Sequence, residues 1–161
     1  MLTLPASSVT SLLDTFVNKA AQGTVLYLGL YIFCLIPFQS FSKFYILDQK
    51  KKQAKKDQTK ERPSFREVKY YNSKDKLALL GDRTVGNFLE FAILFLPLLW
   101  IHAVFVDHTQ SFTICSLYTA SRALYPIVFG MGLPWIGLST IPGYLVYFYL
   151  LFDVSTKFAF A

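Results

Sequence analysis

Few ionisable side chains stand inside the long apolar runs of this sequence, and those few fall into a pattern. Arg83, Asn87 and Glu90 are four and three residues apart. At about 100° per residue they line one narrow stripe of a helix. Leu94, Pro97 and Ile101 continue that stripe in apolar form. A second stripe reads Cys115, Tyr118, Arg122, Tyr125 and Phe129. Glu90 lies roughly 10 Å inward of Arg83, and Arg122 roughly 13 Å inward of the end of its own segment near Met131. The two therefore sit at similar depth on neighbouring or symmetry-related helices. Charge in an apolar span is costly and is usually paired or functional. One reading is a buried Glu90–Arg122 pair that specifies helix packing. The other is a polar pocket suited to a zwitterion. Guanidinium groups fork carboxylates, a glutamate pairs an ammonium, and an asparagine bridges amides.

The first stripe, Arg83-x3-Asn87-x2-Glu90 followed by Pro97, resembles the second-helix signature of the MAPEG family (membrane-associated proteins in eicosanoid and glutathione metabolism). Arg122-x2-Tyr125, after Tyr118, resembles that family's third-helix signature. The resemblance covers residues 83–130. It implies a homotrimer of four-helix subunits that binds glutathione between neighbouring subunits, near the cytosolic side. Arg83 and Arg122 would then hold carboxylates, Asn87 and Glu90 the peptide and its amino group, and Tyr125 a polar contact. The activity implied is that of a glutathione transferase or peroxidase acting on lipophilic substrates. The sequence departs from the family at Phe91 and Phe129, where tyrosines are common, and between Gly130 and Ile136, where no arginine follows. A thiolate needs a nearby positive charge or strong donor at neutral pH. The departures therefore favour a bound thiol over a thiolate. The long charged connection, which could dock a partner, favours an alternative, a non-catalytic structural subunit of a larger membrane complex.

The elements that must position these residues are membrane spans. Of the 161 residues, 53% are hydrophobic and 17% aromatic, and they come in long runs. A helix needs about 20 apolar residues to cross a ~30 Å hydrocarbon core. Four segments qualify, roughly 24–47, 84–106, 111–131 and 133–154. The first is strongly apolar to Phe38 and mixed from Gln39 to Leu47. Asp107-His108-Thr109-Gln110 reads as a tight turn, and Gly130-Met131-Gly132-Leu133-Pro134 as a helix stop and restart. Short joints force antiparallel neighbours. The expectation is an all-α integral membrane protein, a single domain over 1–161 forming a four-helix transmembrane up-down bundle. Ser11–Ala20 could add a short amphipathic helix on the membrane surface. Pro142 should kink the last span, and Tyr144, Tyr147 and Tyr149 read as interface anchors.

Net charge is +6, and all of it falls in the connection 48–83, which holds twelve bases against six acids. Beside apolar spans, such a loop fixes orientation or touches anionic lipid headgroups rather than nucleic acid. It belongs on the cytosolic, matrix or stromal side, with both termini opposite. The membrane expected is that of the endoplasmic reticulum or of an organelle, mitochondrion or plastid. Lys43 lies near the inner end of the first span, within conceivable reach of the pocket. Cys34 and Cys115 fall within apolar runs and imply no disulfide framework. His102 and His108 are six apart with no acid or cysteine completing a metal-ligand spacing, so no metal is expected.

Overall fold

A computed structural model describes residues 6–58, 63–69 and 74–159, with the backbone alone for 6–16. The described chain is helical, with α1 (Ala6–Leu30), α2 (Ile36–Lys56), α3 (Lys76–Phe105), α4 (Ser111–Met131) and α5 (Gly137–Ala159). Among the described residues three helical segments are long and apolar enough to cross a membrane: Val17–Lys56, Lys76–Phe105 and Gly137–Ala159.

The first two helices form one rod. A π-helical turn, Tyr31–Leu35, joins them, and the Ile36 N–H bonds the Tyr31 carbonyl five residues back. Pro37 explains the wider turn. It has no N–H to donate, and its ring crowds the carbonyl four residues earlier. Shifting the local hydrogen bonds by one residue accommodates it without breaking the rod. The surface helix expected at Ser11–Ala20 is thus the start of this rod. From Ala6 to Lys56 the rod is roughly 75 Å long, far more than one bilayer core.

Helix boundaries differ from expectation around the basic connection. Its first part, Asp48–Lys56, continues α2, and Lys76–Arg83 opens α3. Between them Ser64 caps a 3₁₀ turn, Phe65–Val68, and Glu67 returns a bond to the Ser64 N–H at 2.9 Å. Lys60, Glu61 and Arg62 lie outside the described residues. The Asp107 turn forms between α3 and α4. Asp107 Oδ1 accepts from the Thr109 N–H at 2.8 Å and the Thr109 hydroxyl at 2.6 Å. After α4, Gly132 turns the chain, and α5 starts at Gly137 rather than Leu133.

α4, expected as a span, is not among the segments apolar enough to cross, and its polar side faces inward. It packs against α1, α3 and α5. Ser111, Thr119, Ser121 and Arg122 are all buried, while Leu117, Leu124 and Ile127 face outward. The other described helices also turn large apolar side chains outward. Phe33, Ile93 and Phe152 are about as exposed as residues can be within a helix, at 78%, 74% and 69%. In lipid such exposure costs nothing, and helix contacts depend instead on packing and interhelical hydrogen bonds. The core accordingly combines the two. Phe95 stacks on Tyr118 at 3.8 Å between centroids, Tyr27 stacks on Phe88 at 4.2 Å, and the Tyr27 hydroxyl donates to the Phe88 carbonyl at 3.2 Å.

At the loop-side end, α2 lies close against α3. A Cβ added to Gly81 would stand 2.5 Å from Ser42 Oγ and 3.0 Å from Gln39 Cα, so only glycine admits this approach. Beside it a buried ion pair joins Lys43 Nζ to Asp82 Oδ1 at 2.5 Å, and Gln39 Nε2 donates to the same oxygen at 2.7 Å. At the opposite end His102 Nε2 meets Asp153 Oδ2 at 2.9 Å, tying α3 to α5.

Candidate functional site

Arg122 is the centre of the polar interior. It is 3% exposed, yet every partner it has among the described residues is neutral. Nη1 donates to Asn87 Oδ1 at 3.1 Å, Nη2 to the Ser139 carbonyl at 2.8 Å, and Nε to Ser121 Oγ at 3.3 Å. The guanidinium carbon lies 5.2 Å from the ring centroids of both Phe91 and Tyr118. Three helices thus supply its surroundings. On α5, Gly143 faces the guanidinium so closely that any Cβ there would collide with Nη2. Ser139 Oγ donates to the Ser121 carbonyl at 2.5 Å and fixes α5 against α4 at this level.

The expected Glu90–Arg122 pair does not form. Glu90 is exposed on the outer side of α3 and makes no hydrogen bond or ion pair among the described residues. The reason is rotation. The stripe Arg83–Asn87–Glu90 straddles the edge of the α3 packing face. At about 100° per residue, Asn87 is turned roughly 60° nearer to α4 than Glu90. Asn87 therefore takes the place in front of Arg122, and the carboxylate faces out with Arg83, Leu94, Pro97 and Ile101, all of them exposed.

Of the sequence-derived set, then, Asn87 and Arg122 touch. Tyr125 is buried one turn along α4 and stacks on Phe129 at 5.5 Å. Arg83 is exposed one turn from Asn87 towards the loop end. Lys43 belongs to the separate pair with Asp82. Sequence reading missed Ser121, Ser139 and Gly143, for which small residues in an apolar segment give no signal. It also placed Tyr147 at the interface. The structure turns that hydroxyl inward to the Phe91 carbonyl, while Tyr149 does reach the turn region through Gln110 Oε1 at 3.1 Å. Asp82 was counted only as loop charge, although four apolar residues and a glycine precede it in the sequence. Among the described residues no three His, Cys, Asp or Glu side chains come together as a metal site.

An apolar groove of about 430 Å³ runs between α3 and α5, lined by Phe91, Leu94, Pro97, Ile101, Tyr144 and Phe148 among others. Phe91 belongs to both features. Its ring meets the Arg122 guanidinium and also walls the groove. A cationic polar site and a lipophilic trough therefore share one side chain. Arg122 itself does not line the groove, so Phe91 is the link between the two features.

Compared with family models, with curated proteins and with solved structures, the chain shows no match.

Proposed function

We propose that this chain is a MAPEG-like protein whose helices form a four-span bundle, assembled as a homotrimer that binds glutathione between neighbouring copies. Arg122 carries the reading. A guanidinium buried among neutral partners in a membrane-crossing chain is an unbalanced charge, and desolvation makes that costly. A carboxylate of the tripeptide supplies the missing anion. Asn87, already bonded to Arg122, then meets the peptide, and Tyr125 lies one turn away. Arg83 and Glu90 face outward, where an adjoining copy closes the site and Glu90 meets the ligand's ammonium. The groove beside Phe91 receives a lipophilic co-substrate, so the reaction class is glutathione transfer to, or reduction of, a lipophilic electrophile. With Phe91 and Phe129 bringing no hydroxyl, the bound sulfur stays largely a thiol and turnover is slow.

The membrane is that of the endoplasmic reticulum or of a mitochondrion or plastid, with the basic connection on the cytosolic, matrix or stromal side. Those same two phenylalanines favour a second reading, a non-catalytic subunit of a larger membrane assembly that retains the pocket's grip.

Calorimetry with glutathione on detergent-solubilised protein, read beside native mass, tests the proposal. Binding by a trimer, lost in Arg122→Gln, is the expected result. A monomer that releases no heat would overturn it. Thiolate ultraviolet absorbance and turnover of a lipophilic electrophile separate the two readings.

A further inference from the structure

The outward face of α2 changes character along its length without changing direction. Phe41, Phe44 and Tyr45 are exposed by 65%, 61% and 46%. Lys51, Lys52, Lys55 and Lys56 are exposed as well. At about 100° per residue all seven fall within a sector of roughly 140°. The opposite face carries Ser42, Lys43 and Leu47, all buried against the protein. Lys50 also lies on that opposite face, where it pairs with Asp75 at 3.1 Å and with Glu67 at 3.9 Å. So α2 sorts its lysines. Two, Lys43 and Lys50, are consumed by the protein's own acids, and four face out in line with the aromatics. Lys52 is held by Asp48 at 2.6 Å, which leaves Lys51, Lys55 and Lys56 with no ion pair among the described residues. Phe65 of the 3₁₀ turn meets Phe44 at 5.6 Å between centroids.

Depth fits a bilayer surface. Aromatic rings settle at the boundary between hydrocarbon and headgroups. Lys51 and Lys52 lie roughly 10 Å beyond Tyr45, and Lys55 and Lys56 roughly 15 Å. The headgroup layer on each side of the hydrocarbon is about 5–8 Å thick, and the surface field reaches about a Debye length further. Orientation alone asks only for net charge and not for a stripe. A soluble acidic partner could engage the lysines but could not follow the same face down to Phe41.

We propose that this stripe of α2 is a binding surface for anionic phospholipid, with Phe41, Phe44 and Tyr45 set at the acyl boundary and Lys51, Lys55 and Lys56 on the headgroup phosphodiesters. The proposal stands on the membrane-crossing helices and is independent of glutathione binding.

The test is native mass spectrometry of the purified protein with phosphatidylglycerol or phosphatidylcholine added. The wild type should prefer phosphatidylglycerol, the preference weakening as salt is raised. Each lysine near the surface contributes about fivefold, so the triple variant Lys51→Gln, Lys55→Gln, Lys56→Gln should lose most of the preference, by at least about tenfold. Lys50→Gln, on the inner face, should leave it unchanged. A thermal melt checks that the triple variant is folded. Should it melt early, Lys55→Gln alone serves, with a loss of about fivefold expected. Equal binding of the two lipids by the wild type, or an unchanged preference in the folded variant, would overturn the proposal. So would lysine-dependent capture of an acidic protein with no effect on lipid.

Discussion

Arg122 of α4 donates to Asn87 of α3 across 3.1 Å, and this bond replaces the ion pair that the spacing of Glu90 had suggested. An amide satisfies part of the guanidinium's hydrogen bonding but none of its charge. The site therefore keeps a net positive interior, held by the Ser139 carbonyl on one side and by two aromatic rings.

Asn87→Ala removes one acceptor from a buried cation. The expected cost is about 1–3 kcal/mol of stability, the range for stranding a buried donor. Gly143→Ala should cost a similar amount, about 1–3 kcal/mol, because the guanidinium must shift to admit a methyl group. Unfolding in mixed micelles measures both. A neutral Gly143→Ala would show that Arg122 has another resting place.

Glu90→Gln should leave the melting temperature of the isolated chain unchanged, since the carboxylate is exposed and makes no hydrogen bond or ion pair among the described residues. If the chain binds glutathione as proposed, the same change should weaken that binding. Loss of stability in the detergent-solubilised monomer would reveal a partner within the chain.

Lys43 and Asp82 are 8% and 2% exposed at their side chains, so neither is well solvated without the other. Asp82→Asn should cost about 3–5 kcal/mol by leaving the ammonium buried and unmatched. The double variant Lys43→Met, Asp82→Leu should cost less than Asp82→Asn alone, as removal of both charges ends the desolvation penalty. A thermodynamic cycle over the pair decides, and simple additivity would contradict the coupling.

Cysteines placed at Lys55 and at the carboxyl terminus should label from opposite sides of the membrane, in a chain with Cys34 and Cys115 replaced. On the four-span bundle proposed above, the continuous rod Ala6–Lys56 crosses once and α3, α4 and α5 alternate after it. Labelling of both from one side would require a different number of crossings.

Asp107 illustrates the expected pH response. The Thr109 hydroxyl, and then the Thr109 and Gln110 N–H groups, hold its carboxyl below the ordinary aspartate range against a smaller opposing effect of burial. A depressed folded-state value means that the stabilisation is present above the unfolded value and is lost as pH falls through the folded one. The side chain is partly solvated, so the effect on stability is small. Thr109→Val should move the Asp107 titration upward, as read from its carboxyl chemical shift. An unmoved titration would exclude the hydroxyl as the main cause.

Long apolar runs and short joints made the helices and their order legible in the sequence. The apolar residues of α3 and α5 specify length against a bilayer, and the Asp107 and Gly132 turns announce themselves by residue type. Rotation was not legible. A stripe of three polar residues does not say which of its edges meets a neighbour, and a turn of roughly 60° about the α3 axis separates the buried Asn87 from the exposed Glu90. Nor does spacing along one helix say which helix will supply a partner. Lys43 found Asp82, His102 found Asp153, and Ser139 found Arg122, each on another helix. Local sequence sets periodicity, because the helix repeats every few residues. Pairings between helices depend on how whole faces fit, and small residues such as Gly81 and Gly143 set that fit by what they leave out.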